Sequence, residues 1–228
     1  MGRCRDGGWS HQEVRPGETW SPTWRINQPA ATLWYHPHPH GTTERHVYGG
    51  LAGMFILDDE VESRLELPRR YGVDDVPVIV QDRRFDRGGE FDDGRSQLGG
   101  VGVLGDTLLV NGTVGPYLDV TTERLRLRPL NGSNARSYDF GFADDRSYEL
   151  IGTDGGLLPA PHRTDRVRLS PGERAEIVVT MRAEIVVAMR AGERVALRSF
   201  PPDQGRSPSW TARRTASICT TCSSRSCR

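Results

Sequence analysis

Three histidines at alternate positions, His36, His38 and His40, with Pro37 and Pro39 in the gaps, carry the clearest chemical signal in this chain. Proline fixes φ near −65°, and a residue that precedes a proline is pushed out of the helical region. His36 and His38 both precede one, so the spacing predicts an extended segment. Side chains two apart in an extended chain point to the same side, about 6–7 Å from each other. Such a row can reach one metal ion or two neighbouring ones. Imidazole suits copper, zinc, iron and nickel, so the row alone does not choose the metal. Exposed His-Pro runs also occur in unstructured chain, which leaves a site-free reading open.

The elements that must position this row are short strands. Thr19–Ile26 reads as one, with Trp20, Trp24 and Ile26 on one parity, after a Pro-Gly turn at Arg15–Glu18. Another runs from Ala31 to about His38. A short helical turn is expected within Thr42–Gly50, capped by Thr42 or Thr43. Gly53–Asp58 reads as an internal strand, apolar on both faces. After a mixed-charge linker, further strands are expected at 76–82, 108–110, 124–128, 148–151, 166–169, 175–181 and 194–200. Leu125, Leu127 and Leu130 alternate with Arg124, Arg126 and Arg128, the pattern of a strand with one face in a core and one in water. Asn111-Gly112 and Pro171-Gly172-Glu173 are turn signals. Many short strands without a helical period argue for an all-β sandwich.

The wider sequence around the histidines resembles the multicopper oxidase family, in the bacterial branch of cuprous oxidases, bilirubin-oxidase-like enzymes and laccases. The residues that carry the resemblance begin with Trp34-Tyr35-His36-Pro37-His38 and the Gly50-Leu51-Ala52-Gly53 strand entry. They continue through 74–82, Gly105–Gly112, Leu130–Arg136 and Asp154–Pro159, in the family's order, over roughly residues 8 to 205. The resemblance implies cupredoxin-like Greek-key β-sandwiches, one partial and one nearly complete. Residues 1–58 would be the latter half of a first cupredoxin domain carrying the His-x-His motif, 59–72 a linker, 73–205 a second domain, and 206–228 a tail without ordered structure.

The resemblance also implies chemistry. In that family a mononuclear blue copper takes single electrons from phenols, bilirubin-like compounds or cuprous ion. A three-copper cluster passes four of them to dioxygen. Matched motif to motif, His36 and His38 correspond to cluster ligands, one for each copper of a coupled pair. His40 and His46 match no ligand position, and His162 reads as a surface histidine. Copper is thus the implied cofactor, with dioxygen and a small reducing substrate as partners. The blue copper needs a thiolate beside two imidazoles. None of Cys4, Cys219, Cys222 and Cys227 has a histidine neighbour, and no His-Trp-His-Gly precedes residue 36. The expectation is a fragment of a multicopper oxidase, inactive alone and without an intense blue band. The alternatives are a non-catalytic copper- or zinc-binding cupredoxin-like protein and, less in keeping with the flanking motifs, a His-x-His zinc hydrolase.

Composition bounds the partners. Thirty basic residues, all arginine, face thirty acids and are interleaved with them, which argues against a nucleic-acid partner. No apolar run reaches the ~20 residues of a membrane span. The first residues lack the apolar stretch of a signal peptide, although the family usually works in the periplasm or outside the cell. Finally, Ala175–Arg182 recurs as Ala183–Arg190 with one difference. A single strand through both copies would be about 55 Å long, far beyond normal, so one copy is expected to be surplus.

Overall fold

Turn residues cut this chain into short segments, and in the computed structural model, which describes residues 14–92, 102–181, 194–200 and 218–221, most of them are strands. In chain order they are β1 (Ala31–Tyr35), α1 (Thr43–Tyr48), β2 (Gly53–Leu57), α2 (Glu60–Ser63), β3 (Asp75–Arg83), β4 (Thr107–Val110), β5 (Thr113–Val114) and β6 (Tyr117–Asp119). There follow β7 (Arg124–Asn131), β8 (Tyr138–Phe142), β9 (Tyr148–Thr153), β10 (Gly156–Thr164), β11 (Val167–Leu169), β12 (Ala175–Thr180), β13 (Arg194–Ser199) and β14 (Ile218–Thr221). A seven-stranded sheet, β10-β9-β12-β7-β3-β4-β5, faces a five-stranded one, β11-β8-β13-β14-β6. Between them lies one core. Val78, Val80, Leu125, Leu127, Ile177 and Val179 of the larger sheet meet Phe140, Phe142, Leu169, Val195 and Leu197 of the smaller. The all-β sandwich expected from the sequence is what forms.

The turn chemistry holds as read. Asn111 and Gly112 both take positive φ in the two-residue loop that joins β4 to β5. Gly17 and Gly172 also have positive φ in their turns, which glycine adopts without strain.

Outside the sandwich, β1 and β2 form an antiparallel ribbon of their own. A lone pair of strands is marginal in water and needs something to pack on. The ribbon and α2 lie on the outer face of the seven-stranded sheet, and this overturns the alternation read in β7. Leu125 and Leu127 enter the sandwich core as expected, but Arg126 and Arg128 on the opposite face are each only 2% exposed. That face is covered rather than wet. The mixed-charge segment expected as a linker also contains α2, whose Glu62 is buried against β7.

Three other expectations are corrected. Thr19–Ile26 is irregular, and Trp20, Trp24 and Ile26 are 46%, 59% and 48% exposed. No described strand lies beside it to supply a ladder, and Pro22 has no N–H to give one. β2 is not internal, because β1 is its one partner among the described strands. Residues Ile218–Thr221, expected to lack order, form β14 between β13 and β6. The exposed backbone edges of those two strands offer a β-branched segment the hydrogen bonds it needs. His11, the second octapeptide copy and the rest of the tail lie outside the described residues. The first copy supplies β12.

One glycine makes a direct test of the packing. A Cβ at Gly105 would sit 2.3 Å from the Arg83 nitrogen and 2.5 Å from its oxygen, and backbone cannot swing aside. The Gly105 N–H donates to Asp82 Oδ2 at 2.7 Å, so the segment cannot shift without breaking a buried bond. Gly105→Ala is expected to cost about 1–3 kcal/mol or more, measured as a lowered urea midpoint at unchanged slope.

Candidate metal-binding site

The histidine row begins where β1 ends. Register pairs Trp34 with Met54 and Tyr35 with Gly53, and the prolines then carry the chain away from β2 in extended form. The bend that follows is fixed by hydroxyls. Thr43 Oγ1 donates to the Pro39 carbonyl at 2.9 Å, and α1 starts immediately. Its expected cap, Thr42, makes no side-chain capping bond.

Within the row, His36 and His38 come together, with ring centroids 5.1 Å apart. His36 is half-buried and stacks on Trp34, centroids 4.3 Å apart at an interplanar angle of 27°. Its Nδ1 lies 2.9 Å from the Pro37 carbonyl oxygen. A carbonyl only accepts, so Nδ1 carries the proton and the lone pair is on Nε2. This is the tautomer a metal-binding imidazole uses, with the other nitrogen tied to a backbone oxygen. His38 is exposed, and so is His40. His162 is exposed on β10, as expected for a surface histidine. Among the described residues no cluster of three or more His, Cys, Asp or Glu converges on one point. The pair therefore fits copper as half of a site. It offers one imidazole with a fixed tautomer and a second beside it, on a face that other ligands can reach.

What the sequence reading missed is how β1 is held. Thr32, fully buried two residues before Trp34, donates from Oγ1 to Glu176 Oε1 at 2.6 Å and accepts from Arg128 Nη1 at 2.6 Å. Arg126 binds Glu176 through Nε and Nη2 and reaches Glu62 at 2.7 Å. Arg128 grips both oxygens of Asp75 at 2.7 and 2.8 Å. Glu62 also accepts from Arg69. Burial pushes the Glu62 carboxyl up, but hydrogen bonds and charge from Arg126 and Arg69 outweigh it and hold the group below the usual carboxylate range. Burial likewise opposes the Arg128 charge, yet the Asp75 hydrogen bonds and the charges of Glu176 and Asp75 raise its pKa. This buried ionic clasp ties β1 and α2 to the sandwich. Its one sequence signal was charge in strand interiors, at Arg126, Arg128 and Glu176.

A two-sheet β-sandwich of this kind is the cupredoxin-like fold, and comparison with known proteins agrees. A sequence model described as multicopper oxidase matches residues 3–62. Over 92% of its length the chain superposes on the 2F4 variant of the multicopper oxidase McoA from Aquifex aeolicus, with TM-score 0.80 and 37% identity, and covers 46% of that chain. The laccase of Pediococcus acidilactici matches over 89% of this chain and 40% of its own, with TM-score 0.76 and 39% identity. Among curated proteins, the cell division protein FtsP of Xenorhabdus nematophila is 51% identical over 176 residues, 76% of this chain and 36% of that protein. The FtsP of Escherichia coli is 46% identical over 168 residues, 74% of this chain and 35% of its own. The chain spans about a third of the length of these curated relatives. Residues 3–62 thus match the multicopper oxidase family, and the fold is that of multicopper oxidases.

Among the described residues, no helix is long and apolar enough to cross a membrane.

Proposed function

We propose that this chain is a copper-binding part of a multicopper oxidase and that His36 and His38 are its ligands. The observation that carries this is the pair itself, with rings 5.1 Å apart and His36 held in the tautomer that leaves Nε2 free. When bound, copper supplies one-electron chemistry, which this family couples from a small reducing substrate to dioxygen. The chain's own residues hold the ligands in place. The Pro37 carbonyl keeps the proton on His36 Nδ1, Trp34 covers one ring face, and the clasp through Thr32 anchors the strand. Two imidazoles fall short of the three or four ligands a tight site uses. The affinity of this chain is therefore expected to be modest, and its oxidase activity absent until further ligands complete the site.

The test is a copper(II) titration followed by calorimetry and electron paramagnetic resonance. His36→Ala and His38→Ala should each weaken binding by about tenfold or more, since even partners that only orient ligands are worth 10–100-fold. His162→Ala should change nothing. Equal affinity in all three would sink the assignment.

A second reading has its own support. The curated relatives at 44–51% identity are named cell division proteins, and such a role could rest on the fold alone. On that reading copper binding is weak in the wild-type chain and indifferent to both histidines. The same titration separates the two.

A further inference from the structure

The copper reading leaves open what fixes the direction of His36, and we propose that the sandwich does so, through Trp34. Thr32, Trp34 and His36 share one parity of the extended chain. Thr32 on that side is locked into the clasp. Trp34 comes next, and its indole has two neighbours. One is the His36 ring, stacked at 4.3 Å. The other is Gly172, in the turn that leads into β12. A Cβ built there would stand 3.3 Å from Trp34 Cζ2, 3.9 Å from Cε2 and 4.0 Å from Nε1.

That turn is a rigid backstop. The Gly172 N–H donates to the Asn131 carbonyl at 2.8 Å, and the Asn131 N–H donates to Glu173 O at 3.0 Å, so Gly172 and Glu173 are both tied to the end of β7. Arg174 then joins turn and ribbon. Its Nη1 donates to Gly172 O at 3.1 Å, and its Nε donates to Thr32 O at 3.1 Å. Its Nη2 donates to Asp154 O at 3.0 Å. The histidine pair sits at the end of a ribbon too small to define it. The ring directly behind it, however, rests on the sandwich. Trp34 is the positioning residue and Gly172 its seat, where glycine serves twice. It accepts φ +84° and leaves room for the indole.

This inference rests on the copper reading for its metal half only, and the test, made on the full chain, separates the two. In metal-free protein, NMR should find the His36 ring protons displaced upfield by the indole. Trp34→Phe should keep most of that displacement, Trp34→Leu should abolish it, and Gly172→Ala should change it although both rings remain. Copper(II) affinity should fall about tenfold in Trp34→Leu and Gly172→Ala and stay near wild type in Trp34→Phe. His36 signals in Gly172→Ala that match wild type overturn the seating, whatever copper does. Signals that move while copper affinity stays equal across the set overturn the link to the metal pair. If Trp34→Leu loses the dispersed core signals of a folded protein, Gly172→Ala against Trp34→Phe makes the same comparison. Copper binding that ignores His36→Ala removes the copper reading, while the metal-free spectra still decide the seating.

Discussion

Glu176→Ala should be among the most damaging single substitutions in this protein, costing about 3–5 kcal/mol. The side chain is 1% exposed and serves three partners at once, Thr32, Arg126 and Arg128. Around it three buried acids, Glu62, Asp75 and Glu176, face Arg126, Arg128 and the partly covered Arg69. Removing one acid leaves a net positive charge where water cannot reach it. An uncompensated buried charge costs far more than the pair contributed. The contrast is Glu149→Ala. Its bridge to Arg124 is 3.8 Å long and about half exposed on both sides, so its loss should stay below about 0.5 kcal/mol. Urea unfolding of the two variants gives the comparison. Limited proteolysis adds the location, since freeing the clasp should expose residues 31–63 to cleavage before the sandwich. Glu184 holds the matching place in the second copy of the octapeptide and could stand in if the chain slid by eight residues. Glu176→Ala/Glu184→Ala closes that escape. A loss under about 1 kcal/mol in the double variant would mean that the clasp does not hold the ribbon.

The division between what the sequence made legible and what it hid follows from locality. Strands with their own apolar period and turn residues, such as those at 107–110 and 124–131, were readable because the signal lies within ten residues. So was the histidine pair, because two prolines impose its geometry. Hidden were the facts that depend on what packs on what. Arg126 and Arg128 read as wet because alternation says only that two faces differ. It cannot say that a distant ribbon with Thr32 and an acid from α2 will cover the second face. Trp20, Trp24 and Ile26 read as a strand for the converse reason. Their parity is right, but no described strand lies beside them. For the candidate site, the nearness of the two imidazoles could be read, whereas its backing by Gly172 could not, since 136 and 134 residues separate His36 and His38 from that glycine. The same holds for β14, where four residues in an otherwise unpatterned tail meet two open edges.

Acid should release the clasp, in a direction the ionisations fix. Glu62 is held below the usual carboxylate range by Arg126 and Arg69 despite its burial, and Asp74 is held down in the same way by Arg70. A group whose folded value is depressed contributes stability that is fully present above its unfolded value, about 4.3 for glutamate and 3.9 for aspartate. That stability is lost as pH falls through the folded value. The arginines keep their charge throughout, so protonating Glu62 strands Arg126 between one remaining acid and a buried wall. Urea midpoints of the wild-type chain should be level between about pH 5 and 7 and fall steeply below about pH 4. Glu62→Gln keeps the shape and removes the charge. It should start about 1–3 kcal/mol less stable at pH 6, because one guanidinium loses its anion. Its acid limb should also be shallower, because one of the protonations that unfold the wild type is no longer available. Alkali acts from the other side, where burial raises the hydroxyls of Tyr138 and Tyr148, so stability present below about pH 10 declines as pH rises further. Glu62 is the group that ties α2 to β7, so the acid limb of the wild type should coincide with protease access to residues 59–72 rather than with loss of the sandwich core. Parallel acid limbs in the wild-type and Glu62→Gln proteins would place the acid sensitivity elsewhere and leave Glu62 a structural hydrogen-bond acceptor only.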